Sequence, residues 1–238
     1  MNLILFSPEE TKSPLPHQDA RARHIANHLR RSDHESFDAG LIDGPRGKGW
    51  IVKRLPEALV LEFDWESTVS ELFPVSLLIG MPRPQTARRI LREAAALGVR
   101  ELHFFSAEKG VDSYGTSRLW NTGEYHRHLV NGAEQAFSTR LPAVRLHTGL
   151  ATCLGAVPDA ADRIALDLYE AEDALSRNSL SGNDALLAVG SERGWSGAER
   201  DCLRVAGFRL ASLGNRVLRS DTACVSGITL ILAKLGHL

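Results

Sequence analysis

The sequence predicts an α/β protein in which a small β-barrel domain precedes a larger domain built on a parallel sheet. Three observations carry that expectation. Short alternating or apolar runs crowd residues 37–63 and are separated by glycine- and proline-containing turns, the spacing of a small barrel. From Pro74 onward apolar runs alternate with longer helical segments, the pattern of βαβ units. Two strand-to-helix loops fall close together between Leu186 and Leu232, and in open α/β sheets such loops gather at the carboxyl ends of strands, where small ligands bind. The polar stretch Glu66 to Glu71 marks the expected boundary, giving residues 1–70 to the barrel and 71–238 to the parallel-sheet domain.

The composition is that of an ordinary soluble protein. With 238 residues, 43% of them hydrophobic, the chain has ample material for a core. The apolar run Leu3 to Phe6 is too short for a signal peptide, and no stretch approaches the roughly 18 apolar residues of a membrane span, so the cytoplasm is the expected compartment. Cys153, Cys202 and Cys224 are odd in number and lack zinc-site spacing, which predicts reduced thiols. A net charge of −1 disfavours non-specific nucleic-acid binding, although a local basic patch can suffice for it.

In chain order, Asn2 to Phe6 reads as a strand and His17 to Arg31 as a helix with Ile25 and Leu29 on one face. Its other face carries Arg21, Arg23, Arg30 and Arg31, which either grip phosphate or form a solvated surface. Phe37 to Asp43, Trp50 to Arg54 and Ala58 to Phe63 read as strands, with Gly44 to Gly49 as a long hairpin loop. Trp50 and Trp65 either stack on bases or fill the barrel. Val75 to Gly80, Pro84 to Leu97 and Glu101 to Phe105 form a βαβ unit, with Gly98 ending the helix. Thr116 to Phe137 is mostly helical. His126 and His128 stand two apart and share no helix face, so no metal site is expected there.

Ile164 to Leu168 and the apolar run Asp184 to Val189 are further strands. After Val189 comes the loop Gly190-Ser191-Glu192-Arg193-Gly194, and Ser196 with Glu199 three positions later forms a capping box that starts a helix reaching about Ala206. Phe208 to Ser212 is the next strand. The loop Leu213 to Arg219 follows it, and Ser220 or Asp221 caps a last helix running to about Leu235.

The segment GSERGWS together with LGNRVLRSDTA resembles the paired signature of the RsmE family, bacterial methyltransferases acting on N3 of a uridine in 16S ribosomal RNA. That family reads Gly-Pro-Glu-Gly-Gly in the first loop and Leu-Gly-x-Arg-Ile/Val-Leu-Arg-Thr-Glu-Thr in the second. Further matches are His24 with Leu29 and Arg30, the Asp43-Gly44 turn, Leu97-Gly98-Val99, and Glu134-Gln135 followed by Arg140 and Pro142. Ser191 for Pro, Arg193 for Gly, Asp221 for Glu, Glu93 for Lys and Ser138 for Arg are departures. The resemblance implies a SPOUT-type C-terminal domain whose two loops form a trefoil knot around S-adenosyl-L-methionine, preceded by a PUA-like RNA-binding barrel. It also implies a ribosomal RNA or small-subunit substrate, and a homodimer formed through the knotted domain.

On that resemblance, Leu166, Leu168, Val189, Gly190, Glu192, Gly194, Leu213, Gly214, Val217, Leu218 and Thr222 are expected at the cofactor. The RNA-facing set is Arg21, Arg23, His24, Arg30, Arg31, Arg83, Lys109 and Arg140. Methyl transfer to uridine N3 requires a departing imide proton and stabilisation of negative charge on the uracil. Arg219, Asp221 and Glu192 are the candidates for that chemistry; the alternative for Arg219 is a salt bridge to Glu192 or Asp221 that only braces the loops. A SPOUT enzyme with another RNA target and a non-catalytic RNA-binding member of the fold are the competing functions.

Overall fold

The computed structural model describes residues 3–29, 35–69 and 71–238. These residues divide into two compact units, Met1–Glu71 with Val130–Leu141, and Leu72–Leu129 with Pro142–Leu238.

The first unit is a curled five-stranded sheet. Its strands are β1 (Ile4–Phe6), β2 (Leu15–Pro16), β3 (Ser36–Leu41), β4 (Arg46–Arg54) and β5 (Ala58–Trp65), in the order β1-β3-β4-β5-β2. The β1–β3 pairing is parallel and the others are antiparallel. Alternation along β3 and β4 points Phe37, Ala39 and Ile51 into a core with Ile4, Phe6, Ile25 and Leu59. Trp65 stacks on Phe63 with ring centroids 5.0 Å apart, next to that core.

Three expectations change here. The segment read as one helix from His17 is a single α-helical turn, α1 (Ala20–Arg23), capped by the Asp19 side chain and continued by a wide π-type turn at His24–His28. Arg30 and Arg31 lie outside the described residues. Gly47 and Gly49 belong to β4 rather than to a hairpin loop. A Cβ at Gly47 would meet the Asp64 carbonyl, and one at Gly49 would lie 2.5 Å from the Phe37 ring, so these glycines make room for neighbours and do not turn the chain. Residues 130–141 also group with this unit instead of the second. Ala133 packs on Leu3 and Leu5, the Leu5 amide donates to Glu134 Oε1 at 3.0 Å, and the Thr139 hydroxyl donates to the Gly44 carbonyl.

The second unit holds a seven-stranded sheet that is parallel throughout. Its strands are β6 (Phe73–Gly80), β7 (Val99–Phe105), β8 (Ala143–His147), β9 (Asp162–Leu166), β10 (Asp173–Ala174), β11 (Ala185–Val189) and β12 (Arg209–Ser212), in the order β10-β12-β9-β11-β6-β7-β8. The helices are α2 (Pro84–Ala96), α3 (Arg118–Asn121), α4 (Glu124–Gln135, which continues into the residues grouped with the first unit), α5 (Leu150–Leu154), α6 (Gly197–Val205) and α7 (Ser220–Lys234). Every residue of β11 is buried, as a strand covered on both faces requires. Leu186 and Ala188 face a core completed by Leu150, Cys153, Trp195 and Leu203 from α5, α6 and the preceding loop. Leu187 faces the other way, toward α7, where a Cβ on Gly227 would come within 2.8 Å of it. The stretch 116–137 is mostly helical as expected, in two helices that part at Gly123, whose φ of +71° ends α3 and admits a new start. His126 is exposed, whereas His128 is buried with Nε2 3.3 Å from Glu124. No helix among the described residues is long and apolar enough to cross a membrane.

Candidate functional site

Adjacent parallel strands β12, β9 and β11 each release a loop at their carboxyl ends, and those loops enclose one cavity of about 660 Å³. Such a volume falls within the roughly 300–1,000 Å³ of small-molecule sites. The whole cavity lies within the second unit.

The first loop follows β11. Gly190 touches Trp195 so closely that a Cβ would sit 3.1 Å from the indole, and Gly194 takes φ +71° to reverse the chain. Trp195 is 2% exposed, and its indole N–H donates to the Leu166 carbonyl at 2.8 Å, tying this loop to the end of β9. Ser196 Oγ accepts from the Glu199 amide at 3.0 Å while Glu199 accepts from the Ser196 amide at 2.8 Å, the expected capping box. Glu199 accepts in addition from the Glu108 amide, and Lys109 Nζ donates to the Trp195 carbonyl at 2.7 Å. Gly80, at the end of β6, lets the backbone of this loop approach: a Cβ there would lie 2.6 Å from the Ser191 amide nitrogen.

The second loop follows β12. Gly214 has φ +104° and open space where a Cβ would point. Arg219 is the N-cap of α7 without a side-chain cap bond, so neither Ser220 nor Asp221 caps as expected; Ser220 is already the first helical residue. The third loop, after β9, is fixed by Asp167. Its carboxylate accepts from the Tyr169 and Glu170 amides at 2.6 and 3.0 Å and pairs with Arg200 Nε at 2.6 Å. Burial pushes the Asp167 carboxyl up, and the Arg200 guanidinium with the two amides more than offsets this, leaving it below the usual carboxylate range.

The expected cofactor residues line this cavity, with the exception of Thr222, which is an exposed residue of α7 outside the lining. The three expected catalytic residues line it too. Glu192 accepts from the Thr86 hydroxyl at 3.0 Å and pairs with Arg83 at 3.2 Å. Asp221 pairs with Arg89 at 3.1 Å and with Arg219 Nε at 3.4 Å. Burial raises the Asp221 carboxyl, but the Arg89 hydrogen bond and the Arg219 charge prevail and hold it lowered. That makes it a firm anion and a weak base.

The expected RNA-facing residues fall in both units. Arg83 lines the cavity, and Lys109 is committed to the Trp195 carbonyl. In the first unit Arg21 is an internal brace rather than a free cation: it bonds Glu10, Asp19 and the Leu5 carbonyl, and lies 4.9 Å over the Phe6 ring. The Arg21 hydrogen bond drives Glu10 down to about 2, which shows how tightly that guanidinium is held. Arg23 is exposed, His24 is half-buried, and Arg140 donates to the Asp43 carbonyl at 3.3 Å. Sequence reasoning missed Thr86, Asp167, Tyr169, Trp195, Arg200 and Arg216 in the lining. Of these only Trp195 and Arg216 carried a signal, through their place in or beside the two loops.

A separate cluster brings donor atoms of His103, His147 and Cys153 within 4.8 Å of one another. Glu101 Oε2 lies 2.8 Å from His103 Nε2, and His103 Nδ1 lies 3.0 Å from His147 Nε2, so one imidazole donates to the next in a chain ending on the carboxylate. Burial keeps the Cys153 thiol protonated, pushed up to about 12.

A parallel sheet whose carboxyl-end loops close over one cavity, one of them bracing a capped helix, defines an α/β ligand-binding domain. Residues 69–232 match the family model described as RNA methyltransferase domain. Ribosomal RNA small subunit methyltransferase E of Treponema pallidum is 35% identical over 242 aligned positions, covering 98% of this chain and 91% of its own length. The chain belongs to that family. Among solved structures, a probable rRNA-methyltransferase from Porphyromonas gingivalis superposes with a TM-score of 0.79 at 19% identity, covering 99% of each chain. Ribosomal RNA small subunit methyltransferase E from Neisseria gonorrhoeae, solved bound to S-adenosyl methionine, gives 0.76 at 19% identity over 98% of this chain and 97% of its own. The fold is therefore the SPOUT-type α/β fold with its parallel sheet.

Proposed function

We propose that this chain is an S-adenosyl-L-methionine-dependent methyltransferase acting on N3 of a uridine in 16S ribosomal RNA. The observation that carries the reading is the convergence of both signature loops on a single cavity at the carboxyl ends of β11 and β12. The residues there fit the cofactor. Leu166, Val189 and Leu213 offer apolar wall, and Gly194 and Gly214 leave open space where side chains would otherwise stand. The cofactor, when bound, supplies an electrophilic methyl group.

The chain's own share is positioning and electrostatics. Asp221 holds Arg219 through Nε, leaving the terminal nitrogens of that guanidinium for an oxygen on which charge develops. Glu192, anchored by Thr86 and Arg83, fixes the first loop and stands at the cavity as the candidate proton acceptor. The reading includes a backbone knot through the two loops, RNA binding by the first unit, a homodimer through the second, and work in the cytoplasm; these follow the family signature.

The test is direct. Titration calorimetry should detect S-adenosyl-L-methionine binding, and mass spectrometry of ribosomal RNA from a deletion strain should show one methylated uridine restored by this gene. Undetectable binding at millimolar cofactor would overturn the enzyme reading. Methylation restored on ribose or on a carbon would overturn the N3 assignment.

A further inference from the structure

The three loops around the cavity present exposed side chains to it, among them Tyr169 after β9, Arg193 after β11 and Arg216 after β12. Tyr169 is 79% exposed and is the only exposed Phe, Trp or Tyr among the described residues. An aromatic ring left in water beside a cavity forgoes the burial that normally places such rings inside. Its backbone is nonetheless rigidly held, because its amide donates to the Asp167 carboxylate that Arg200 pins. The ring is thus displayed from a fixed support.

The charges at the mouth are unequal. The lining acids are all engaged, Asp167 with Arg200, Glu192 with Arg83, and Asp221 with Arg89 and Arg219. Among the described residues the guanidinium groups of Arg193 and Arg216 have no ion-pair or hydrogen-bond partner. Two unpaired guanidinium groups beside a solvent-facing ring match the chemistry of single-stranded RNA, which offers phosphates to cations and base faces to aromatics. A small cofactor carrying its own positive charges would not call for this surplus.

We infer that Tyr169, Arg193 and Arg216 form the seat for the RNA strand at the cavity mouth, with a base stacked on Tyr169 and flanking phosphates on the two arginines. The inference rests on the proposed methyltransferase reading and adds residues that position its substrate. It also gives Arg193 a use at a place where a bare backbone would suffice for the loop.

The experiment uses the full chain, a fluorescein-labelled oligouridylate decamer, and S-adenosyl-L-methionine measured separately. Tyr169→Ala should weaken decamer binding by about fivefold to 150-fold, the range for losing one stacked base, while Tyr169→Phe should bind nearly as wild type. Arg193→Ala with Arg216→Ala should reduce the slope of log affinity against log salt by about 1.4, the expectation for two phosphate contacts to a single strand. All these variants should keep wild-type melting temperature, since the side chains are exposed, and cofactor affinity is read alongside on each. Loss of cofactor affinity in Tyr169→Ala with unchanged decamer binding would overturn the inference and assign the ring to the cofactor. Wild-type decamer binding and salt slope in every variant would overturn it as well, as would a wild-type chain that binds no decamer. A wild-type chain that binds no cofactor instead removes the methyltransferase reading, so the two failures are told apart.

Discussion

Arg219 touches Asp221 through Nε at 3.4 Å with 59% of its side chain exposed. An ion pair so open to water contributes at most about 1 kcal/mol to stability, so bracing the loop is a small part of what this guanidinium can do. In the proposed reaction, stabilising charge that appears on a uracil oxygen would be a larger one, since losing a single preorganised donor costs roughly a hundredfold or more in rate. Arg219→Ala should therefore lower the single-turnover rate by about two orders of magnitude at saturating cofactor, with melting temperature and cofactor affinity near wild type. Arg219→Lys should fall between, because a point charge replaces the charge but not the planar fork. A near-normal rate accompanied by weakened cofactor binding would make Arg219 a brace. The place of Arg219 at the cavity was legible from the second loop's sequence. Asp167 and Arg200 were not, because their 2.6 Å pair joins positions 33 apart whose meeting depends on the β9–β12 register.

At the scale of elements, legibility followed local chemistry. β11 declared itself as an apolar run, and α6 through a serine and a glutamate that cap it reciprocally. β8 gave no such sign, since it is a short edge strand whose residues are exposed or half-buried and whose pattern reads as loop. Yet β8 carries His147, which hydrogen-bonds His103 of the neighbouring strand β7. Burial lowers the His103 pKa despite Glu101, and burial with His103 and Arg145 nearby lowers that of His147. The unfolded chain therefore takes up these protons first as pH falls from the ordinary histidine value near 6.5. Stability is fully present above that value and is lost as pH drops toward the depressed folded values. Melting temperature should decline between about pH 6.5 and pH 5, before the carboxylates titrate, and His147→Gln should flatten that decline. An unchanged profile in the variant would assign the effect to another group such as His128, whose pKa burial also lowers.

For the molecule as a whole, the change from short strands to βαβ units was visible in the sequence, but the membership of residues 130–141 was not. They join the first unit through Ala133 against Leu3 and Leu5, contacts across more than a hundred positions that no local pattern encodes. The division has a consequence for ligand linkage. The cavity is lined entirely by residues of the second unit, and a ligand that binds only the folded state stabilises what it binds by about 2.7 kcal/mol at a hundredfold excess over its dissociation constant. Saturating S-adenosyl-L-methionine should therefore slow amide hydrogen exchange chiefly in the segments 166–170, 189–196 and 213–223, whose backbone surrounds the cavity. Exchange from the strands of the first unit should change little, because no lining residue belongs to them. Single-stranded RNA at the mouth should add protection at Tyr169, Arg193 and Arg216 on top of that pattern. Cofactor-dependent protection confined to β1 through β5, with the three loops unaffected, would place the binding site elsewhere and undo the assignment of this cavity.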